Sequence, residues 1–270
     1  MIFGIPIWRI ILIITLIFLV IKRADLVAAV GRVKYGKRQF PEAMKIFKIA
    51  DKIGNLNISN KITLGYVCLR CGALEEARKN LRLCLSLTKR DSADRNQVKN
   101  LLALVSWKEG NLSDAIEELE EVIASGYKNT VIYQNLGILY NLSGDKEKAL
   151  AFNKEGYEYN SDDHIICDNL ADAYAINGEY EKAAEIYAAL MEQDPPPRFP
   201  EAYYGYGKVL IALGRKEEGV AMIEKSLTKP FSYLSICPRE EIEELCRSYG
   251  GQVPPLETEA EVTAKAKKEK

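Results

Sequence analysis

Two cysteines three residues apart, Cys68 and Cys71, have the spacing of a metal or redox motif. A zinc site needs four ligands, and the sequence contains neither a second CxxC pair nor a histidine pair to complete one. Both thiols also fall inside an expected helix. We therefore interpret them as core residues and predict no metal site and no cofactor. Scattered cysteines favour free thiols in a reducing compartment over a disulfide framework; the others are Cys84, Cys167, Cys237 and Cys246.

The sequence offers no residue set suited to catalysis. His164 is the only histidine, so neither a catalytic triad nor a histidine-based acid–base pair can be assembled. The stretch Tyr204–Gly207 is rich in glycine, but we interpret it as helix, and the phosphate-loop pattern G-x4-G-K-[ST] is absent. The acidic run from Glu117 to Glu121 is typical of a solvated helix face. We predict no catalytic residue and no enzyme activity.

The charge balance argues against nucleic acid as a partner. The 270 residues include 37 Lys and Arg against 38 Asp and Glu, without the basic stripe that binding to phosphate backbones requires. One or two compact domains fit this length. A repeat pattern occupies residues 24–229, however, and leaves no room for a second core.

The repeat shows as a small residue at a nearly constant spacing of 34, 38, 34, 34 and 36 residues. These residues are Ala43, Ala77, Ala115, Ala149, Ala183 and Gly219. A glycine precedes each of the last five by five positions, at Gly72, Gly110, Gly144, Gly178 and Gly214. A period in the thirties is typical of a solenoid, whose units bury their apolar faces against their neighbours. The longest spacing is explained by a polar loop inserted at residues 89–94.

Each unit reads as two amphipathic helices joined at a glycine. In the fourth unit, Tyr133-x2-Leu136-Gly137-x2-Tyr140 is followed by Ala149, and this resembles the W-x2-L-G-x2-Y…A pattern of the tetratricopeptide repeat family. The resemblance implies an all-α fold, an α-α superhelix of about six helix-turn-helix repeats that start near residues 24, 58, 96, 130, 164 and 200. Departures from the family pattern are Arg38, Asn153, Gly156 and Gly219.

The two ends of the chain lie outside the repeats. Residues 230–250 include an amphipathic stretch after Pro238, which predicts a capping helix. Residues 251–270 have few bulky apolar side chains and predict a disordered tail. Residues 1–23 predict a transmembrane anchor, because Met1–Ile21 is apolar apart from Arg9. Since Ile10–Ile21 alone is too short, the span must recruit residues near Arg9, which would snorkel outward.

A cleaved signal peptide is the alternative to a retained anchor. Lys22 and Arg23 directly follow the apolar run, and small-x-small spacing first occurs at Ala28, so the retained anchor is favoured. The heavier positive flank is expected in the cytoplasm; it comprises Lys22, Arg23, Arg32, Lys34, Lys37 and Arg38. We therefore expect a single-pass membrane protein with cytoplasmic repeats.

The family resemblance implies that a protein or peptide partner binds the concave face formed by the first helices. Helical spacing directs the following candidates there: Tyr66, Asn100, Leu104, Trp107, Gln134, Asn135, Ile138, Asp168, Asn169, Asp172, Tyr204 and Lys208. A solvated face with a few aromatic residues is the plainer interpretation. Asn135 and Asn169, at equivalent repeat positions, could form a peptide-gripping ladder, but a structural role is favoured. A clamp for acidic C-terminal peptides is not expected, because Tyr66 and Leu104 replace the polar groups it needs.

Together these features predict a membrane-anchored scaffold or adaptor. The architecture is similar to that of anchored tetratricopeptide assembly factors of bacterial envelopes and of N-anchored organelle import receptors. Two alternatives stay open. One is an exported solenoid that binds envelope glycans or peptides after signal cleavage, and the other is a regulatory subunit of an envelope enzyme complex.

Overall fold

The computed structural model describes residues 6–90 and 92–255, and across these residues it consists of thirteen α-helices without a strand. In chain order the helices are α1 (Ile7–Gly36), α2 (Phe40–Ile53), α3 (Ile58–Arg70), α4 (Leu74–Leu87), α5 (Ala93–Lys108), α6 (Leu112–Ala124), α7 (Thr130–Ser143), α8 (Lys146–Tyr159), α9 (His164–Ile176), α10 (Tyr180–Met191), α11 (Pro200–Ala212), α12 (Lys216–Leu227) and α13 (Arg239–Ser248).

The helices follow the pairwise plan of a helical repeat. Five first helices pack against the second helix that follows them: α1 against α2, α3 against α4, α5 against α6, α9 against α10 and α11 against α12. Successive pairs also touch, because α4 contacts α5 and α10 contacts α11. The predicted all-α helical repeat is therefore confirmed. The chain divides into two compact units, Met1–Leu139 and Tyr140–Lys270.

Glycines with positive φ close the turns between paired helices, with φ of 73° at Gly72, 91° at Gly110 and 85° at Gly144. This left-handed conformation is accessible to glycine without the steric penalty that a Cβ brings. The first repeat has Arg38 at this point, with φ of 59°. A left-handed arginine costs about 1–2 kcal/mol, so the missing glycine is a local strain rather than a different fold.

The N-terminal helix α1 differs from the expectation of a separate anchor. It continues without a break from Ile7 to Gly36, so no helix boundary falls at residue 23. Its C-terminal half buries Ala24, Ala28 and Gly31 within the first repeat. Its N-terminal half is exposed, including twelve large apolar side chains between Ile7 and Ile21.

The expected transmembrane helix is not found. Within residues 6–90 and 92–255, no helix combines the length and the apolar character needed to cross a bilayer. The apolar run between Arg9 and Lys22 has a helical length of only about 18 Å, against a hydrocarbon layer of about 30 Å. The expected span also used residues 1–5, which lie outside the described residues.

The C-terminal helix α13 falls within the segment 230–250 where a cap was expected, and buries Ile242 and Cys246. Arg239 fixes its start. Its guanidinium donates to the backbone carbonyls of Leu227 at 2.6 Å and Pro254 at 2.9 Å, and to Glu243 at 2.7 Å. Most of the predicted disordered tail, residues 256–270, lies outside the described residues.

Candidate functional site

Seven of the twelve predicted partner-binding residues lie on first helices of the unit 1–139. Two of them, Asn100 and Leu104 on α5, are buried, with exposed fractions of 4% and 7%. The other five are partly buried: Tyr66 on α3, Trp107 on α5, and Gln134, Asn135 and Ile138 on α7. Tyr66 and Trp107 therefore provide the aromatic surface among these seven residues.

Tyr66 belongs to an aromatic cluster at the start of the array. Its ring lies edge-on to Tyr35 at a centroid distance of 6.0 Å, and Tyr35 lies edge-on to Phe40 at 5.9 Å. The Arg70 guanidinium lies 4.5 Å from the Phe40 ring centroid, and its Nη1 is 3.4 Å from the Tyr66 hydroxyl oxygen. The Nε atom of Arg70 is buried without a hydrogen-bond partner.

We name Tyr35, Phe40, Tyr66 and Arg70 the aromatic–arginine cluster. Sequence reasoning identified only Tyr66, because Tyr35 and Phe40 lie on either side of the first turn and outside the repeat's first-helix pattern. Trp107 has a similar environment on α5, where the Lys108 ammonium lies 3.9 Å from the centroid of its ring.

The two asparagines of the expected ladder take part in hydrogen bonds within the protein. The Asn135 side-chain amide donates to the Asn100 side-chain oxygen at 2.8 Å. At Asn169 the backbone carbonyl accepts from the Asn141 amide at 2.9 Å, and Asn141 in turn accepts from Asn153 at 2.8 Å. The latter chain explains why the fourth repeat has asparagine at an ordinarily apolar position, since a buried amide needs partners.

The remaining five candidates lie in the unit 140–270. Asp168 and Asn169 are buried on α9, Asp172 is partly exposed on the same helix, and Lys208 is exposed on α11. Tyr204 was expected on an open face, but only 9% of its surface is exposed. It packs in a cluster with residues of α12 and of the C-terminal cap, because residues beyond the repeat pattern fold over it. Its cluster neighbours are Ile223, Leu227, Cys237, Ile242 and Cys246.

Asp168 and Asp172 form a buried acidic pair on consecutive turns of α9. The Tyr187 hydroxyl of α10 donates to Asp172 Oδ1 at 2.7 Å, and it also interacts with Asp168. Asp168 is 2% exposed, and its Oδ1 atom has no hydrogen-bond partner. Burial raises the pKa of the Asp168 carboxyl well above its ordinary value, and the neighbouring Asp172 adds to this increase. Burial also raises the pKa of Asp172.

The ammonium group of Lys208 on α11 acts on this acidic pair. Lys208 lowers the pKa of both aspartates through its positive charge, whereas Glu201 on the same helix raises that of Asp168. The Lys208 ammonium lies 4.4 Å from the centroid of the Tyr204 ring. Among the described residues, the carboxyl groups of Asp168, Asp172 and Glu201 thus lie near the ammonium of Lys208.

The CxxC thiols lie in an environment that suppresses reactivity. Burial raises the pKa of Cys68 to about 12 and also raises that of Cys71, so both are protonated near neutral pH. A protonated thiol is neither the nucleophile nor the metal ligand in cysteine chemistry. Within the described part of the chain, no three His, Cys, Asp or Glu residues are grouped so that they could hold a metal ion.

Comparison with known proteins agrees with the helical architecture. Residues 169–230, which cover most of α9 to α12, match a family model described as tetratricopeptide repeat. The fold is that of the tetratricopeptide repeat. No curated protein matches the chain in sequence.

Solved tetratricopeptide structures extend this likeness to most of the chain. A tetratricopeptide repeat protein from Parabacteroides merdae superposes with a TM-score of 0.68 at 16% identity, covering 84% of each chain. A thermophilic protein of this fold from Thermus thermophilus gives 0.56 at 19% identity over 72% of this chain and 98% of its own. PilW, a widely conserved type IV pilus biogenesis factor, gives 0.61 at 14% identity over 76% and 92%. Proteins with this repeat mediate protein–protein interactions, which directs attention to their exposed helix faces.

Proposed function

We propose that this protein is a non-enzymatic scaffold or adaptor that binds a partner protein or peptide on the face of its first helices. The observation that carries the proposal is the aromatic–arginine cluster, in which Tyr66 and Tyr35 present ring surface beside a guanidinium. Aromatic and arginine side chains supply a large part of the binding energy at protein interfaces. The Arg70 Nε atom has no hydrogen-bond partner within the protein.

Trp107 supports the same face from α5. It is partly exposed and lies beside the Lys108 ammonium. A rigid aromatic ring loses little conformational entropy on binding, so such residues are efficient anchors. Tyr204, by contrast, is buried by the cap, and its replacement would test the fold rather than binding.

The test is partner capture by a photo-reactive amino acid placed at position 66 or 107 of the full chain. We expect one specific crosslinked partner from both positions. The substitutions Tyr66→Ala and Trp107→Ala should each weaken its capture by about ten-fold or more, as expected for interface anchors. Tyr180→Ala is the matched control, because it removes an exposed tyrosine from the second helix α10.

Unchanged capture by both variants, at unchanged helicity, would contradict the proposal. Loss of capture with Tyr180→Ala as well would indicate a general effect of removing surface aromatics. A partner that crosslinks equally to a probe at position 180 would also count against a binding face on the first helices.

We further propose that the exposed apolar half of α1 attaches the protein to a membrane. Its support is the run of exposed Ile, Leu, Val and Phe side chains between Ile7 and Ile21, which is unfavourable in water. In this proposal the apolar side chains enter one side of the hydrocarbon layer, and Arg9, Lys22 and Arg23 extend to its headgroups. Retention of the protein in the membrane pellet after alkaline carbonate extraction is expected, and release into the supernatant would contradict attachment.

The proposal also states on which side of the membrane the repeats lie. The positive flank after Ile21 favours cytoplasmic repeats, whereas a secreted or periplasmic binding protein with a cleaved signal is the alternative. Cys71 is the least buried of the six thiols and is the natural reporter. A membrane-impermeant thiol reagent should label Cys71 after the cells are permeabilised and leave it unlabelled in intact cells; labelling in intact cells would contradict cytoplasmic repeats. A mature N-terminus near residue 25–30 would favour the alternative.

A further inference from the structure

The acidic pair has a feature that packing does not explain. In a repeat array, buried first-helix positions are ordinarily occupied by apolar residues, and buried carboxylates destabilise a protein unless they are paired. Here Asp168 is almost fully buried, and one of its oxygens has no partner. The Tyr187 hydroxyl, which interacts with both aspartates, donates to Asp172 Oδ1 at 2.7 Å.

The two aspartates of the pair differ in exposure. Asp172 is partly exposed, whereas Asp168, one turn earlier on α9, is almost fully buried. A Cβ at Gly205 would overlap Tyr187, so the backbone of α11 closes the pair from that side. Asp172 is therefore the side from which a partner would approach, and the unpartnered oxygen of Asp168 is the more deeply buried acceptor.

The charges around Asp168 and Asp172 indicate what kind of group would bind there. The groups facing the pair are Tyr187 from α10 and Glu201 and Lys208 from α11. On α8, Lys154 lies over the Tyr174 ring. The carboxyl groups thus exceed the ammonium groups around the pair, and a hydrogen-bond acceptor is left over.

We propose that Asp168 and Asp172 form a site for a basic side chain, arginine or lysine, of the bound partner. This inference rests on the proposed binding function and adds the chemistry of the partner. The incoming guanidinium or ammonium donates to Asp168 Oδ1 and to the Asp172 carboxylate, and Tyr187 holds the latter in place. Charge-assisted hydrogen bonds of this kind are stronger than neutral ones.

Binding should displace a proton. In the free protein, burial raises the pKa of both carboxyl groups, and the charge of Asp172 raises that of Asp168 further, so the pair retains a proton where an ordinary aspartate has lost it. A bound cation favours the fully ionised pair, and the proton passes to the buffer. The affinity for a basic side chain is therefore expected to rise with pH through the raised pKa range, and the binding enthalpy should depend on the ionisation enthalpy of the buffer.

The test uses the full chain in detergent and short, acetylated and amidated alanine peptides with a central arginine, lysine or citrulline. Isothermal titration calorimetry should show binding of the arginine or lysine peptide, and no binding of the neutral citrulline peptide. Asp168→Asn and Asp172→Asn should each weaken binding by about ten-fold. Glu185→Gln, which removes an exposed carboxylate from α10, is the control and should leave binding unchanged.

Lys208→Gln is a second test variant, for which the proposal predicts a gain of binding rather than a loss. Removing the Lys208 ammonium should strengthen the binding of basic peptides several-fold, because its charge has the same sign as that of the incoming side chain. An arginine peptide that binds more tightly than the lysine peptide would indicate a guanidinium site, and the reverse an ammonium site.

Three results would overturn the proposal: no basic peptide binds, the citrulline peptide binds equally well, or both aspartate variants keep their affinity at unchanged helicity. If the Tyr66→Ala variant loses partner capture but still binds basic peptides, both the binding face and the acidic site are supported. Normal capture by the Tyr66 and Trp107 variants would count against the first-helix binding face alone, and failed peptide binding against the acidic site alone.

Discussion

At the scale of single residues, Asp168 and Asp172 lie one turn apart on α9, where the carboxyl of Asp168 is buried with an unpartnered oxygen. Its pKa is raised above the ordinary carboxyl range mainly by burial. The native state consequently binds a proton that the unfolded chain releases as pH rises above about 4. Native stability falls with rising pH across this window, since folding there favours the protonated group.

Replacing Asp168 with asparagine should therefore stabilise the protein at neutral pH. We expect Asp168→Asn to raise the free energy of unfolding by about 1–3 kcal/mol, because the amide cannot ionise and so lacks the cost of a raised native pKa, about 1.4 kcal/mol per pKa unit. The gain should disappear below about pH 4, where the carboxyl is protonated in both states. Urea unfolding as a function of pH measures both effects.

Asp162→Asn is the control for this prediction, because Asp162 is exposed just before α9. It should show no comparable gain at neutral pH. A destabilised Asp168→Asn variant would mean that the ionised carboxyl makes a favourable interaction in the native state.

At the scale of elements, helices α11 and α12 approach each other closely at Gly207 and Gly219. A Cβ at Gly219 would lie 2.6 Å from the Gly207 carbonyl oxygen, and one at Gly207 would lie 2.8 Å from the Gly219 carbonyl oxygen. In the sequence, Gly219 differs from the alanine that the other repeats have at this position, and the pattern gave no reason for the difference. The structure gives the reason: this helix pair packs backbone against backbone, which leaves no space for a methyl group.

Restoring the family's alanine should accordingly harm this repeat. We expect Gly219→Ala to lower the free energy of unfolding by about 1–3 kcal/mol through overpacking, although alanine has a helix propensity better than that of glycine by about 1 kcal/mol. Thermal unfolding followed by circular dichroism measures the change. Ala221→Ser, at an exposed site of α12, should be nearly neutral. An equal or higher melting temperature for Gly219→Ala would contradict the close packing.

The cap helix α13 depends on one arginine. Arg239 joins the end of α12, the residues after α13 and Glu243 through three charge-assisted hydrogen bonds. Lysine cannot reproduce these bonds, because its ammonium lacks the planar fork of the guanidinium.

Arg239→Lys should loosen the cap, with a loss of about 1–3 kcal/mol. Amide hydrogen exchange in α13 should become faster, since opening of the cap requires less free energy. Arg247→Lys is a matched control because Arg247 also pairs with Glu243, but its side chain is 60% exposed. An exposed pair contributes about 0–1 kcal/mol, so exchange there should hardly change. Equal effects of both variants would refute a special role for Arg239.

At the scale of the whole molecule, the periodic small residues predicted the all-α repeat fold, because a close helix approach leaves a regular trace in sequence. The local sequence pattern could not show which side chains are buried by segments distant in the chain. Tyr204 has first-helix spacing, yet residues of the cap bury it. Asn153 looked like a defect, yet it bonds to Asn141. The aromatic–arginine cluster joins three helices, and its members share no period.

The uninterrupted helix α1 joins the exposed apolar segment directly to the first repeat. Each residue of an α-helix advances the chain by about 1.5 Å and turns it by about 100°. One residue inserted between Ile21 and Ala24 would therefore swing Tyr35 to another side, whereas seven would restore its direction to within about 20° and raise it by about 10 Å. The length of α1 thus sets the distance of the aromatic–arginine cluster from the apolar segment along the helix axis and its rotation about that axis.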